Sequence, residues 1–410
     1  MKVKILTDIR GLISAANHLP FYELEIRENC AIVIQNSRIL GIETPEILLA
    51  KYPAAEIIAG QNCWALPGYV DPHTHPVFYK TREEEFEMRL QGKSYQEIAR
   101  EGGGIRNSVR AFRQASSEEL LELTCRRLQE FIPLGTTTIE AKSGYGLSLR
   151  DEIRSLQILK KAATLLPLTI VSTFLGAHEI PDEYRDRREA YIELLIKEMI
   201  PAVAAEKLAE FCDIFTEQEV FSIAESERIL LAARDHGLKL KMHADELSPL
   251  GGAELAARLK AVSADHLLMV SEQGILDMKE AGVIPVLLPG TAFFLGKKQY
   301  APARRMIELG LPVALATDYN PGSSFTQNMN LILSIACTQM KMLPAEVICS
   351  STLHSARALA REKELGSLEV GKKADIVLQD IPNFRYLPYH YGMNHVQLVI
   401  KNGEIVYRKS

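Results

Sequence analysis

Short strand-like runs alternate with amphipathic helical stretches through the middle of the chain, and this alternation restricts the possible folds more than any other feature. Because a parallel crossover needs a dozen or more residues, strands that are separated by helices are expected to pair in parallel. Eight such units favour an α/β fold of the closed (β/α)8 TIM barrel type over an open doubly wound sheet, which stays the alternative. The predicted strands occupy residues 64–72, 136–141, 168–176, 211–220, 238–244, 262–268, 284–288 and 312–317.

The two ends of the chain depart from this pattern. Residues 1–66 contain short strand-like pieces joined by polar turns, and strand-like runs return after residue 364, with Asn402-Gly403 as a hairpin turn. Neither end is large enough to form an independent sheet. We therefore expect residues 1–66 and 364–410 to build one small β-sandwich-like domain together, with the barrel inserted between them as residues 67–363.

The composition is typical of a folded, soluble protein, since 47% of the residues are hydrophobic and 24% are charged. A formal charge of −5 argues against general binding to nucleic acid or to a membrane surface. No apolar run reaches the ~18 residues of a transmembrane helix, and the N-terminal apolar stretch is too short for a signal peptide. The six cysteines form no CxxC pair. These features predict a cytoplasmic protein with reduced thiols.

Histidine and acidic residues follow the predicted strands where each strand ends. His73 and His75 come after strand one, and their imidazoles are expected to converge because alternate residues of an extended chain point to the same side. Catalytic groups of a barrel gather at the carboxyl ends of its strands, and neutral imidazoles suit a divalent metal ion. Further candidates at this face are His178, His243, His266 and Asp318, after strands three, five, six and eight.

Five motifs carry a resemblance to a known family. They read PGYVDPHTHP at 67–76, HADE at 243–246, SADH at 263–266, ATDYNPGSS at 316–324 and GSLEVGKKADIV at 366–377. Together they resemble the amidohydrolase superfamily, and the last motif is similar to that superfamily's return into its small β-domain. The resemblance implies a barrel enzyme that hydrolyses its substrate with a metal-activated water. Its metal site would use His-x-His from strand one, histidines from strands five and six, and an aspartate from strand eight.

Two more motifs, EAKSGYG at 140–146 and LGAH at 175–178, extend the resemblance over essentially the whole chain. They are similar to those superfamily members that open the ring of a small molecule, 4-imidazolone-5-propanoate, to N-formimidoyl-L-glutamate in histidine degradation. The resemblance also implies a homodimer. The alternatives are another cyclic amidase, a nucleobase deaminase or, from a different class, a non-catalytic scaffold. A scaffold predicts missing ligands, yet none of the expected set is absent.

The hypothesis for the metal centre is a single ion, Zn²⁺ or iron, together with a water whose pKa the ion lowers from 15.7 to about 7. Many relatives hold a second ion through a carboxylated lysine on strand four. Residues 212–220 offer Glu217 and no lysine, so a mononuclear site is predicted. The predicted ligands are His73, His75, His243 and Asp318.

Three residues are candidates for proton transfer, and the sequence leaves the division of roles among them open. Asp318 can accept a proton from the water, His266 can orient that water or stabilise the oxyanion, and Glu246 can protonate the leaving ring nitrogen. Arg82 is predicted to bind the propanoate, which a neutral nucleobase lacks. The resemblance is the main basis for Arg82, and it also implies substrate contacts for Tyr145 and His178. From their positions, Glu246 is predicted to contact the ring nitrogen, and Asn320, Gly322 and Ser323, which follow the metal ligand, are predicted to bind the carboxylate or the product amide.

Three other segments are interpreted as structural. The glycine-rich segment 102–106 lacks the Lys-Ser/Thr of a phosphate-binding loop. It is predicted to form a flexible loop near the barrel mouth. The acidic residues 83–85 are predicted to be a solvated helix start. His354 stands where many relatives have asparagine, and its helix is predicted to pack against the barrel.

Overall fold

The structure, a computed structural model, describes residues 3–93, 97 and 103–409. Eight parallel strands follow one another in chain order within one sheet. The first region bonds back to the last: the His75 amide donates to the Tyr319 carbonyl (2.8 Å) and the Asp318 amide donates to the His73 carbonyl (3.1 Å). The sheet therefore closes, and the predicted (β/α)8 barrel is confirmed. Barrel strands one to eight are Tyr69–Asp71, Thr136–Lys142, Thr169–Ala177, Phe211–Thr216, Lys239–Ala244, Ser263–His266, Ile284–Leu287 and Ala314–Leu315.

Most helices cover the apolar outer face of the barrel, and two begin at capping boxes. The Ser116 hydroxyl accepts a hydrogen bond from the Glu119 amide while the Glu119 side chain bonds back to the Ser116 amide, and Ser222 and Glu225 repeat this arrangement. In the described parts of the chain, no helix is long and apolar enough to cross a membrane. The α-helices span Pro45–Lys51, Glu83–Leu90, Ile105–Gln114, Ser117–Gln129, Leu149–Leu165, Arg188–Leu194, Ile200–Ala205, Ile223–Asp235, Gly252–Leu259, Glu272–Ala281, Pro289–Phe294, Ala303–Glu308, Met329–Met340, Pro344–Ser350, Leu353–Ala358 and Tyr386–Tyr389, with a π-helix at Leu195–Met199 and 3₁₀ turns at Ile132–Leu134 and Asp182–Arg187.

Strands from both ends of the chain form two further sheets, and one apolar cluster that includes Leu6 and Ile376 is shared between them. The four-stranded sheet has the order Arg38–Glu43, Ala31–Gln35, Val3–Thr7 and Glu56–Ala59. The six-stranded sheet has the order Glu404–Arg408, Val396–Lys401, Ile376–Gln379, Trp64–Pro67, Gly11–Ser14 and Glu25–Glu28. The assignment of residues 1–66 and 364–410 to one domain and of 67–363 to another stays a prediction.

The run at 64–72, predicted as a single barrel strand, is two strands in different sheets. Trp64–Pro67 pairs within the six-stranded terminal sheet, whereas Tyr69–Asp71 pairs in parallel with barrel strand two. Gly68 lies at the switch, where a β-carbon would come 2.2 Å from the Thr137 hydroxyl oxygen. A continuous apolar run does not reveal which sheet its residues join, and the pattern alone therefore merged the two strands.

Two predictions about the segments after strand one are wrong in part. The helix Ile105–Gln114 begins inside the predicted loop at 102–106, of which residue 102 lies outside the described residues. A helix does begin at the acidic run, but Glu85 is only 8% exposed, and its carboxylate accepts a hydrogen bond from the Gly104 amide at 2.9 Å. Three consecutive acidic residues do not indicate that one of them will contact the start of another helix. His354 is buried in its helix, with Nδ1 3.0 Å from the Val313 carbonyl oxygen, as a structural role predicts.

Candidate metal centre and active site

Four predicted ligands converge at the carboxyl ends of the barrel strands. His73 Nε2 and His75 Nε2 lie 3.1 Å apart, and each lies 3.5 Å from Asp318 Oδ1. His73, His75 and His243 offer ring nitrogens within 4.8 Å of one another. Ligands bound tetrahedrally at ~2.1 Å would be separated by about 3.4 Å from each other. The spacing of these donor atoms therefore suits one metal ion.

The protonation states of the imidazoles also suit a metal. Burial lowers the pKa of His73 and of His75 well below the usual range, so both rings are neutral at pH 7. The nitrogens that face one another at the centre are the Nε2 atoms of His73 and His75, 3.1 Å apart. A neutral imidazole is the form that binds a metal ion, and the residues present fit such an ion.

Two buried carboxylates stand behind the histidines. Asp265 Oδ2 lies 2.6 Å from His73 Nδ1, and Asp213 Oδ2 lies 3.0 Å from His243 Nδ1. Burial is the largest single effect and lowers the pKa of His243, but the charge and hydrogen bond of Asp213, together with the Asp265 charge, make the net shift upward. A carboxylate that accepts the Nδ1 proton leaves the Nε2 lone pair for a metal. Sequence reasoning assigned neither aspartate a role, although a charged residue within an apolar parallel strand was an available signal.

Asp318 is buried and Glu246 is half-buried, and the pKa values of the two acids differ. Burial raises the pKa of Asp318 to about 6, while its Oδ2 accepts a hydrogen bond from the Thr291 hydroxyl at 2.6 Å. Burial, reinforced by the charge of Asp318, raises the pKa of Glu246 to about 8. Glu246 Oε2 lies 3.6 Å from His266 Nε2. At pH 7 one group is therefore ionised and the other protonated, which is the pairing that acid–base catalysis requires.

The backbone is strained at two of the site residues. His266 has φ +77° and Asp318 has φ +52°, both in the left-handed region that residues with a β-carbon seldom adopt. Such conformations cost of order 1–3 kcal/mol each and persist where the surrounding structure imposes them. The barrel framework therefore holds these two side chains in orientations that a relaxed strand end would not give.

His178 and Tyr145 form an aromatic wall beside His75. The His178 ring stacks on the His75 ring at 5.3 Å between centroids, and the Tyr145 ring meets His75 edge-on at 6.4 Å. His178 Nδ1 lies 3.0 Å from the Gly144 carbonyl oxygen, and burial lowers the pKa of His178 to about 3. Gly144 has φ +111°, and a β-carbon there would lie 2.9 Å from His178 Nδ1. The glycine of this turn therefore allows the histidine to approach.

The turn that contains Gly144 and Tyr145 is stabilised by Glu152, a buried carboxylate that the sequence analysis did not identify. Glu152 is 0% exposed and accepts hydrogen bonds from the amides of Gly144, Gly146 and Leu147 at 2.8–3.1 Å. The conformation of the turn, and with it the place of Tyr145, is thus set by a residue of the following helix.

Arg82 lies next to the loop that follows Asp318. A β-carbon on Gly322 would come 2.5 Å from Arg82 Nη1, and Arg82 Nε donates to the Ser108 hydroxyl at 2.9 Å. The Asn320 side chain is used inside the loop: its Oδ1 accepts from the Gly322 and Ser323 amides at 2.8 Å. Asn320 therefore stabilises the conformation of the loop, and the Arg82 guanidinium lies against the loop at Gly322.

Glu217 does not take the place of a bridging lysine. Strand four ends at Thr216, and the Glu217 carboxylate accepts hydrogen bonds from the amides of Leu247 (3.0 Å) and Ser248 (3.3 Å) and from the Ser248 hydroxyl. Glu217 thus holds the loop after Glu246.

A closed barrel with histidines and an aspartate converging at its carboxyl face defines a metal-dependent hydrolase of the amidohydrolase type. The chain belongs to the amidohydrolase family, whose model matches residues 91–407. Within it the chain belongs to the imidazolonepropionase family. It is 50% identical over 381 residues to the imidazolonepropionase of Alkaliphilus oremlandii, covering 92% of this chain and 90% of that protein. It is 49% identical over 388 residues to that of Geobacillus sp. strain WCH70, covering 94% and 91%.

Solved structures of lower sequence identity share the fold. Guanine deaminase from E. coli superimposes with a TM-score of 0.77 at 14% identity and covers 100% of both chains. An adenosine deaminase from Xanthomonas campestris with bound zinc gives a TM-score of 0.73 at 17% identity, covering 98% of this chain and 92% of that one. At these sequence identities, the comparison shows that the fold is shared.

Proposed function

We propose that the protein hydrolyses the cyclic amide of 4-imidazolone-5-propanoate and releases N-formimidoyl-L-glutamate, as a step of histidine degradation. The observation that carries this proposal is the convergence of three imidazoles and the Asp318 carboxylate, with Glu246 3.6 Å from His266 beside them. Sequence identity of 50% to an imidazolonepropionase supports the choice of substrate.

The reaction sets the requirements for the site. Water adds to the ring carbonyl carbon, the bond from that carbon to the adjacent ring nitrogen breaks, and this nitrogen takes up a proton. The former carbonyl becomes the α-carboxylate of the product, and the released nitrogen becomes the end of the formimidoyl group. The site must accept a proton from water, stabilise an oxyanion and return a proton to nitrogen.

Asp318, His266 and Glu246 meet these three needs. Asp318, with a pKa of about 6, is ionised at neutral pH and accepts the proton of the attacking water. Glu246, with a pKa of about 8, retains a proton at neutral pH and donates it to the leaving nitrogen. His266 has a ligand atom within 4.8 Å of one on Asp318 and lies 3.6 Å from Glu246, so it can orient the water or stabilise the oxyanion.

The proposed cofactor is one ion, Zn²⁺ or iron, held by the four convergent ligands. When bound, the ion supplies a Lewis acid that makes water acidic enough to attack near neutral pH. The donor spacing and the neutral imidazoles of His73 and His75 support an ion here. The engagement of Glu217 with the Leu247 amide leaves that carboxylate to the loop, which supports a single ion. The proposed ligands are His73, His75, His243 and Asp318.

Substrate contacts are proposed on the wall and loop around the metal centre. Arg82 would pair with the propanoate through its guanidinium, and the Gly322–Ser323 segment beside it would supply backbone amides. His178, neutral and with Nδ1 directed to a carbonyl oxygen, offers Nε2 as an acceptor for a ring N–H. Tyr145 would close the pocket against the ring.

The test uses purified, metal-analysed protein and 4-imidazolone-5-propanoate generated in situ because the compound is unstable. We expect loss of ring absorbance in step with formation of N-formimidoyl-L-glutamate, identified by mass spectrometry. Guanine and adenosine serve as control substrates, and ammonia release from either would favour a deaminase. Metal-loaded protein that leaves the imidazolone unchanged would overturn the proposal.

A homodimer and a cytoplasmic location stay predictions. Sedimentation equilibrium of the metal-loaded protein measures the first, and fractionation of the native cells measures the second.

A further inference from the structure

Two lysines are fully enclosed inside the barrel, close to the metal centre and unused by the proposed mechanism. Lys142 ends strand two and Lys241 lies on strand five, and both are 0% exposed. Three equally buried carboxylates accompany them, from Glu140, Asp213 and Asp265. Lysine is almost never fully buried unless it is paired, and such a cluster costs several kcal/mol of desolvation per ion. Because burying these five charged groups is so unfavourable, we asked what the cluster does for the site.

The contacts of Lys142 lead to both carboxylates behind the metal ligands. Its Nζ lies 2.7 Å from Asp213 Oδ2, 2.8 Å from the Glu140 carboxylate and 3.7 Å from Asp265 Oδ2. The same Asp213 oxygen lies 3.0 Å from His243 Nδ1, and the same Asp265 oxygen lies 2.6 Å from His73 Nδ1. Each aspartate therefore uses one oxygen to face both the ammonium group and an imidazole.

Lys241 has a different set of neighbours. Its Nζ donates to the Pro72 carbonyl at 2.8 Å and lies 3.1 Å from Glu140 and 3.8 Å from Asp265. Within the described residues, Lys142 is the cation that forms ion pairs with both aspartates. Lys142 therefore links the aspartate behind His243 to the aspartate behind His73.

We propose that Lys142 is a positioning residue of the metal centre: its ammonium group holds the two aspartates and, through them, fixes the orientation of two metal ligands as a pair. A carboxylate that accepts an imidazole Nδ1 proton sets the tautomer and the direction of Nε2. Because one cation between two carboxylates offsets their mutual repulsion, each carboxylate oxygen can stay beside its histidine. This inference rests on the proposed metal centre.

Charge and position predict opposite effects when Lys142 is replaced. A cation near the centre repels a divalent ion, so removing it would strengthen metal binding if only its charge mattered. If Lys142 positions the ligands, its removal frees Asp213 and Asp265 to turn from the histidines, and metal binding weakens. The sign of the change in affinity therefore separates the two roles.

The experiment measures the dissociation constant of Zn²⁺ by chelator competition for wild type and Lys142→Met. We expect about 10- to 100-fold weaker binding, the typical size of the effect when a group that orients a metal ligand is lost. The Co²⁺-loaded variant should also show an altered visible spectrum, which reports ligand geometry. The control is Lys401→Met, because Lys401 is another buried lysine, 2.6 Å from Asp375, in the terminal sheet. This control should keep both wild-type affinity and spectrum.

Each outcome decides the question. Unchanged or tighter Zn²⁺ binding by folded Lys142→Met, with an unaltered Co²⁺ spectrum, overturns the positioning role while the metal centre stands. Absence of Zn²⁺ binding by the wild type overturns the centre and this inference together. If Lys142→Met does not fold, Asp213→Asn replaces it, since the shape is kept and the charge that holds the ammonium group is lost. Wild-type affinity in Asp213→Asn would equally overturn the inference.

Discussion

The Asp265 carboxylate lies 2.6 Å from Nδ1 of His73, while Nε2 of the same ring lies 3.1 Å from His75 Nε2. One imidazole therefore joins a buried acid to the centre at which the proposed metal ligands meet. The two residues are 192 positions apart in the chain, and strand six brings them together across the barrel interior.

Asp265→Ala should weaken metal binding by about 10- to 100-fold, because the Nδ1 proton of His73 loses its acceptor. Asp265→Asn should lose less, since an amide oxygen can still accept that proton. Metal content after dialysis against a graded chelator measures both. Asp375→Asn, at a carboxylate paired with Lys401 in the terminal sheet, is the matched control and should retain its metal. Equal retention in all variants would contradict this role.

His73→Ala should abolish both bound metal and turnover, because the ring bridges Asp265 and the ligand cluster. Inductively coupled plasma analysis and the ring-opening assay report the two losses separately. His354→Ala is the control: His354 is equally buried, but it contacts the Val313 carbonyl and Tyr22. That variant should lose stability and keep its metal. Full metal and activity in His73→Ala would remove the ligand assignment.

The rate should fall as pH rises through about 8 if Glu246 is the general acid. Burial, with the charge of Asp318, raises the pKa of Glu246 to about 8, so the proton-bearing form predominates below that pH and disappears above it. A kcat profile of wild type should show this alkaline limb. Glu246→Gln should show a lower rate without the limb, at unchanged metal content. A profile identical to that of the wild type would exclude Glu246 from proton transfer.

Arg82→Ala should raise KM by about 10- to 100-fold while metal content stays constant, because a charge-assisted contact to the propanoate is lost. Steady-state kinetics with parallel metal analysis separate binding from chemistry. Arg361→Ala is the control, since Arg361 pairs with Glu210, which precedes strand four at the opposite end of the barrel. An unaltered KM in Arg82→Ala would place the carboxylate contact elsewhere.

Gly68→Ala should destabilise the protein by about 1–3 kcal/mol or more, because the new methyl group meets the Thr137 side chain at 2.2 Å. Urea unfolding of the metal-free protein measures the loss. Gly237→Ala serves as the comparison. Gly237 has φ +83° with nothing within 4 Å of a β-carbon, so its substitution introduces backbone strain without a steric clash. A smaller loss at Gly68 than at Gly237 would contradict the close approach of the two sheets.

Much of the fold was predictable because the signals are local. Apolar runs between amphipathic helices predicted eight parallel strands, and the closed barrel is confirmed. Positions such as His73 and Asp318 were predictable as well, since strand ends place their residues at one face of a barrel. The run at 64–72 shows the limit of such signals, because its periodicity is the same on either side of Gly68 while its partners belong to different sheets.

The groups that organise the site depend on partners far away in the chain. The sequence predicted a solvated Glu85, whereas its carboxylate lies 2.9 Å from the Gly104 amide. The sequence assigned Glu217 no role, whereas its carboxylate accepts a hydrogen bond from the Leu247 amide at 3.0 Å. Lys142 lies at a strand end, as the predicted site residues do, but the sequence does not show which acids it contacts. Its burial follows from barrel closure.

The order of residues along the chain thus determined the strands, the helices and the chemical identity of the ligands, because neighbouring side chains and backbone geometry decide those properties. The closed barrel alone decided which acids lie behind His73 and His243 and which lysine joins them. Those properties arise from distances of 2.6–3.7 Å between segments on different strands and from removal of the whole cluster from water.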